Sequence, residues 1–267
     1  MKYAVIFRNV TDLRSRARFR SERKSQLLFN ESVRLGPKSG DYRRVFLPDG
    51  YSGWVAVASI RPVSESKMTD YSGSLNYYVK SPTARISFGK SDNDARPPFL
   101  FFGTRLKAAK KHGQGQVTAV FIGGERFEIS AKDLAPTDQS LSAGRRRRRI
   151  ISQARKFLGT PYLWGGRTPF GFDCSGLVQI VYGCFGVYLP RDSRDQRRSG
   201  IEIAPDEIEA GDLLFFPGHV AIAIDHDRVV HASLREGGVA VNSLNPRHPR
   251  YRRDLRQSLI TIRRVII

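Results

Sequence analysis

Cysteine is nearly absent from this chain. Only Cys174 and Cys184 occur in 267 residues, which excludes a scaffold stapled by disulfides. The two lie ten positions apart in one apolar, helix-prone stretch. On a continuous helix that spacing is about 15 Å of rise, beyond a disulfide's reach, so both are expected as reduced thiols. Long hydrophobic runs are missing too, and no segment approaches the length of a membrane span. The opening Met1–Arg8 segment carries an apolar patch too short for a secretory core, and no small-residue cleavage site follows before Arg14–Arg23. The expected location is cytoplasmic, with a secreted or wall-associated setting as the alternative if a leader has been removed. Short metal-ligand pairs such as Cys-x-x-Cys or His-x-x-x-His do not occur. Nor does a phosphate-cradling glycine loop behind a strand, so no metal and no nucleotide cofactor is implied. Acidic residues are outnumbered 25 to 45 by lysine and arginine. The net charge of +20 favours polyanions, wall polymers or acidic small substrates without choosing among them.

What is present points to folded domains. A 40% hydrophobic content over this length suits two or three compact units. In residues 1–66 short apolar pieces at Tyr3–Phe7, Leu27–Phe29, Val33–Leu35, Val45–Leu47 and Trp54–Val57 alternate with turn chemistry at Gly36-Pro37, Ser39-Gly40, Asp49-Gly50 and Ser52-Gly53. That spacing predicts a small β-barrel. The order of Val10–Arg14, Gln26–Phe29, Glu31–Val33 and Asp49–Val55 resembles bacterial SH3 domains, which implies that Trp54 packs into the barrel. Residues 74–136 repeat the pattern at Tyr77–Val79, Ala84–Ile86, Phe99–Phe102, Leu106–Ala108, Val117–Phe121 and Phe127–Ile129. A second SH3-like barrel is the economical reading, with Phe99–Leu106 matching Leu27–Val33 in placement.

Pro136–Gly144 reads as a linker. The five arginines Arg145–Arg149 invite phosphate neutralisation, but Ile150, Ile151, Ala154, Phe157 and Leu158 then recur at helical spacing. The arginines are therefore read as the solvated face of a helix, and no nucleic-acid partner is expected.

The chemistry concentrates after this point. Gly159–Phe172 holds four glycines and two prolines, which prevents regular structure until Asp173-Cys174-Ser175-Gly176 opens an apolar run. Cys174 is thereby delivered to a helix start, where the exposed N–H groups and the helix dipole are expected to lower a thiol pKa from roughly 8.5 towards neutrality. Strand signals follow at Asp212–Phe216, His219–Ile224, Arg228–His231, Val239–Val241 and Leu259–Ile266. A helix followed by consecutive strands predicts an α+β domain over 145–267 with an antiparallel sheet. His219 and His231 fall near the joined ends of two such strands. A cysteine attacks a carbonyl well when one base manages its proton and another group fixes that base's tautomer. Cys174, His219 and His231 supply those three roles. A zinc site from the same residues lacks a short ligand pair and is set aside. Cys184 reads as a small core residue, His226 as turn chemistry, His112 and His248 as surface.

These motifs resemble the NlpC/P60 family of cysteine peptidases: Gly159–Gly166, Phe172–Val178, Leu189–Ser193, Gly211–Phe216, Gly218–Ile222 and Val230–Ala232 stand in the family's order. With SH3-like modules in front, the chain is most similar to those members that cut the γ-D-glutamyl to diamino-acid bond of cell-wall peptides. The resemblance implies a papain-like core with Cys174, His219 and His231 catalytic and no cofactor. It also implies that Tyr162 assists the oxyanion, that Trp164 walls the cleft, and that Asp173, Ser175 and Ser193 contact substrate. Glu22 and Tyr51 of the first SH3-like module are the candidates for meeting the substrate's N-terminal amine. The implied partners are peptidoglycan-derived peptides, acted on by a monomer.

Overall fold

Turn residues and two-residue alternation make strands the predominant regular element of this molecule. The computed structural model describes residues 2–88, 96–110, 115–137 and 141–266. It divides into two units, Met1–Thr137 and Asp138–Ile267.

The first unit contains two seven-stranded antiparallel sheets. The first has β1 (Tyr3–Ile6), β2 (Val10–Arg14), β3 (Arg23–Leu28), β4 (Ser32–Ser39), β5 (Tyr42–Phe46), β6 (Ser52–Ala56) and β7 (Ile60–Val63) in the order β3-β2-β6-β5-β4-β1-β7. After the helix α1 (Glu65–Gly73) come β8 (Tyr77–Val79), β9 (Thr83–Phe88), β10 (Phe99–Phe101), β11 (Arg105–Lys110), β12 (Gln116–Val120), β13 (Arg126–Ser130) and β14 (Leu134–Pro136). Their order, β10-β9-β13-β12-β11-β8-β14, is the first order with every number raised by seven. In both sheets a three-residue 3₁₀ turn, Val57–Ser59 or Ala131–Asp133, precedes the last strand. The predicted match of Phe99–Leu106 to Leu27–Val33 agrees with this, since β10 and β3 hold the same place.

Two expectations change here. The edge strands β3 and β7 are not paired with each other, so strand pairing forms an open sheet and not a closed barrel. Trp54 is only half-buried, whereas its neighbours Gly53 and Val55 are buried. The alternation of β6 turns them, and not the indole, inward. The two sheets also share one core: Val5, Phe7, Phe29 and Val63 pack with Leu100, Phe121 and Phe127 around Met68 and Tyr71 of α1. Asn30, at φ 72°, donates from Nδ2 to the Tyr71 hydroxyl at 3.0 Å and to the Arg105 carbonyl at 2.9 Å.

The second unit has α2 (Ala143–Arg155), the hairpin β15 (Arg167–Thr168) and β16 (Gly171–Phe172), α3 (Cys174–Gly183), the short α4 (Ser193–Gln196), and a six-stranded sheet. That sheet runs β17 (Ile201–Ile203), β22 (Thr261–Arg264), β18 (Leu213–Phe216), β19 (His219–Ala223), β20 (Arg228–Ser233), β21 (Gly238–Ser243), all antiparallel, with α5 (Arg253–Gln257) before β22. α2 buries Ile150 and Ala154 and exposes Arg145, Arg148 and Arg149, as the helical spacing predicts. Leu214, Phe216, Ala221, Ala223 and Val229 gather on one sheet face with Leu255 and Ile262. α3 packs against β19, β20 and α2, and eight of its ten residues are buried. Among the described residues no helix is long and apolar enough to cross a membrane.

Candidate active site

The loop before α3 is held by backbone bonds, from Leu163 N–H to the Phe172 carbonyl at 3.0 Å and from Tyr162 N–H to the Gly237 carbonyl at 2.9 Å. Two glycines are required by close geometry. Gly165 has φ 74°, and a Cβ on Gly176 would stand 2.2 Å from the Gly166 carbonyl oxygen. α3 therefore approaches the loop more closely than any side chain permits. Asp173 caps α3, its Oδ1 accepting from Gly176 N–H at 2.6 Å. Cys174 is the first residue of that helix and is 7% exposed.

The expected fall in its pKa is reversed. Burial, joined by the charge of adjacent Asp173, pushes the Cys174 thiol up to about 11. The Val220 and Ser175 backbone N–H groups face the sulfur and pull the other way, as does Arg191. Position at a helix start is legible in the sequence; desolvation and the neighbouring carboxylate outweigh it. The sulfur is thus a thiol that must hand its proton to a base as it attacks. Val220 follows His219, so the strand that supplies the N–H also carries that base.

His219 opens β19, His231 lies within β20 and Asn242 within β21. The registers Ile222↔Val230 and Val229↔Asn242 set the three on diagonal positions across adjacent strands. His219 Nε2 and His231 Nδ1 are 2.6 Å apart, and His231 Nε2 lies 2.6 Å from Asn242 Oδ1. His219 therefore spends Nε2 on His231 and keeps Nδ1 for proton exchange. Burial and His231 push His219 down to about 3, and burial lowers His231 as well. Both rings are neutral at pH 7, as a base and its orienter must be.

These directions set a pH dependence. A histidine whose folded pKa is depressed contributes full stability above its ordinary value of about 6.5 and loses it as pH falls towards the folded value. For His219 that window runs down to about 3. The melting temperature should fall progressively below pH 6.5, and any activity that needs neutral His219 should keep its acid limb below that pH. Thermal melts and a pH-rate profile check this; an acid limb above pH 7 would contradict it.

The remaining predicted residues are placed as follows. Tyr162 is half-buried, and burial together with Cys174 and Asp173 raises its hydroxyl to about 12, so it stays a protonated donor. Trp164 is 62% exposed. Asp173 is 6% exposed and carries four intramolecular partners: Gly176 N–H, Gly165 N–H, the Ser175 hydroxyl and Arg191. With each oxygen doubly engaged, its geometry is that of a helix cap and ion-pair partner, which leaves no lone pair for a substrate amine. Ser175 accepts from Arg191 Nη1 at 2.8 Å and donates to Asp173, which leaves one hydroxyl lone pair. Ser193 is half-buried at the start of α4, which packs on α3. Glu22 is exposed and Tyr51 half-buried with Lys24 Nζ 4.3 Å from its ring centroid; both belong to the first unit. Cys184 is buried and donates to the Ile180 carbonyl at 3.3 Å. His226 sits exposed in the Asp225–Arg228 turn. His248 is half-buried, its Nδ1 accepting from Arg250 N–H at 3.0 Å, and His112 lies outside the described residues. Arg191 and Asn242 are additions that the sequence pattern does not announce.

Residues 159–256 match the NlpC/P60 family, and residues 13–60 match the bacterial dipeptidyl-peptidase Sh3 domain. A gamma-D-glutamyl-L-lysine dipeptidyl-peptidase of Bacillus subtilis (strain 168) is 30% identical over 224 residues, 78% of this chain and 71% of that protein. The chain belongs to the NlpC/P60 family. Dipeptidyl-peptidase 6 of Lysinibacillus sphaericus is 45% identical over 117 residues, and the match spans 43% of each protein, under half the length of that relative. The crystal structure of an NlpC/P60 family protein from Bacillus cereus ATCC 10987 superposes with a TM-score of 0.82, covering 99% of this chain and 100% of that one at 22% identity, which establishes the NlpC/P60 fold.

Proposed function

We propose that this protein is a cysteine peptidase that hydrolyses the γ-D-glutamyl to diamino-acid bond of short cell-wall peptides beginning with L-Ala. The observation that carries the reading is the chain from Cys174 at the start of α3, through the β19 strand facing its sulfur, to His219, His231 and Asn242. The Bacillus subtilis relative, matched over most of both chains, is named for the same bond type.

In this reading His219 Nδ1 takes the Cys174 proton as sulfur attacks the γ-carbonyl carbon. The oxyanion is met by the Tyr162 hydroxyl and the Cys174 backbone N–H. His219 then returns the proton to the leaving amine, a thioester remains on Cys174, and water activated by His219 releases L-Ala-γ-D-Glu. Trp164 walls the cleft and Ser193 adds a polar contact. Asp173 caps the helix start, and Ser175 offers its remaining hydroxyl lone pair to the peptide. Residues 1–66 and 74–136 are read as two SH3-like modules, supported by their repeated strand order, and 145–267 as the catalytic domain. Recycling of free peptides in the cytoplasm is the physiological setting we attach to this specificity.

Mass spectrometry of products from L-Ala-γ-D-Glu-L-Lys, with and without N-acetylation of the alanine, tests it. Release of L-Ala-γ-D-Glu from the free peptide alone is the expected result. Equal cleavage of the acetylated peptide would favour a hydrolase of intact peptidoglycan, and cleavage of neither would remove the assignment.

A further inference from the structure

The orientation of one buried amide decides which nitrogen of the active-site base is free. Asn242 is 5% exposed and places Oδ1 2.6 Å from His231 Nε2. Its Nδ2 donates to Glu236 Oε1 at 3.5 Å. A carboxylate only accepts, so it fixes Nδ2 on its own side and turns Oδ1 to the histidine. His231 must then carry its proton on Nε2 and present a bare Nδ1. His219 must in turn carry its proton on Nε2 and leave Nδ1 able to accept. Rotating the Asn242 amide by half a turn reverses every step: Nδ2 would donate to His231 Nε2, His231 would donate from Nδ1, and His219 would hold its proton on Nδ1, where it could take nothing from a thiol.

We infer that Asn242, anchored by Glu236, is a positioning residue that sets the tautomer of the His219–His231 pair. The anchor is itself braced. Arg252 pairs with Glu236 and, through Nη2, with Asp254 at 2.7 Å, and Arg235 lies 3.2 Å from the same Asp254. The charged groups that face His231 are therefore Arg252, Glu236 and Asp254, with His219 as its neighbour. The opposing charges of this cluster leave the neutral amide as the group in direct contact. A neutral acceptor suits this position because it orients His231 without drawing a second proton onto it, as a carboxylate would. The catalytic consequence rests on the peptidase reading above; the tautomer assignment does not.

The test uses the full chain labelled with ¹⁵N-histidine, with two-bond ¹H–¹⁵N correlations reporting which ring nitrogen is protonated and single His→Gln variants assigning the five histidines. In wild type at pH 7.5 His219 and His231 should both be Nε2–H tautomers. Asn242→Ala should mix the tautomers and lower kcat by about 10²-fold or more with KM little changed, in line with the roughly 10⁴-fold cost of a wrong tautomer in a serine triad. Asn242→Asp cannot flip, so it should keep the Nε2–H tautomers and retain measurable turnover, while its negative charge moves the acid limb to higher pH by about one unit or more. Glu236→Leu, at an exposed position, should mix the tautomers in a chain that folds even if Asn242→Ala does not. Unchanged tautomers in Asn242→Ala or, where that variant does not fold, in Glu236→Leu would overturn the inference, as would a kcat loss without any tautomer change. Wild type that shows the expected tautomers yet cleaves no peptide would strike the peptidase reading and leave the positioning role standing.

Discussion

Replacing Cys174 by serine should abolish peptide hydrolysis, lowering kcat by about 10⁴-fold or more, the scale seen when a nucleophile that acts as a unit with its base is removed. The change swaps one buried atom for a smaller one at a site that is 7% exposed, so the melting temperature should stay within a few degrees. Chemistry, not folding, makes the difference. Burial already lifts the thiol to about 11, and His219, with its own proton affinity depressed by burial and His231, is a weak base. Sulfur can still give up its proton because the thiolate is polarisable and is met by the Val220 and Ser175 N–H groups. An alcohol with an intrinsically higher pKa offers the same weak base a much steeper transfer. Cys184→Ser supplies the control: that thiol is buried on α3's far end and bonded to the Ile180 carbonyl, so its loss should cost some stability and leave kcat near wild type. Parallel kcat and melting measurements on the two variants decide it. Equal kcat for Cys174→Ser and wild type would remove the nucleophile assignment outright.

Why these residues can be read from sequence, and others not, follows from the range of the interactions involved. Cys174 is announced locally, by glycines that bar regular structure and by the Asp173 cap. His219 and His231 sit in strands whose β-branched and aromatic neighbours repeat at short range, so a hairpin can bring them together. The direction of the Cys174 pKa escapes the sequence because helix position is a local property whereas desolvation depends on everything that α3 packs against. Asn242 escapes for a related reason: its role exists only once the β20–β21 register places Val229 opposite it. The strand signal at Val239–Val241, just before Asn242 and after a turn at Glu236 and Gly237, holds the one available signal. α1 is hard to see because its only buried residues are Met68 and Tyr71, and its sequence marks are confined to the Ser64 cap, accepting from Lys67 N–H, and Glu65 in the first turn. The open strand pairing of the first two sheets, and their common core, are properties of packing between segments that no periodicity reports.

Arg191→Ala should cost about 3–5 kcal/mol of stability, the range expected when one partner of a buried ion pair is removed. Arg191 is 2% exposed. Its Nη2 lies 2.5 Å from Asp173 Oδ2, and its Nη1 donates to the Ser175 hydroxyl at 2.8 Å. Without it, a carboxylate that is 6% exposed would remain in a dry site with only neutral donors. Lysine cannot replace the fork, since one ammonium has no planar pair of donors to serve both residues, so Arg191→Lys should recover only part of the loss. The companion Asp173→Asn, Arg191→Leu removes both charges at once and should be more stable than Arg191→Ala, because the energy at stake is the unpaired ion and not the pair's net strength. Activity should not follow stability in this series. Asp173 raises the Cys174 pKa and Arg191 lowers it, so the double variant leaves the sulfur with neither influence, whereas Arg191→Ala leaves it facing the uncompensated carboxylate. Denaturant melts on the three variants, with thiol alkylation rates measured on each folded form, separate the two effects. A loss below about 1 kcal/mol in Arg191→Ala, the size of an exposed ion pair, would mean that Asp173 has found another counter-charge and that Arg191 does not brace the start of α3.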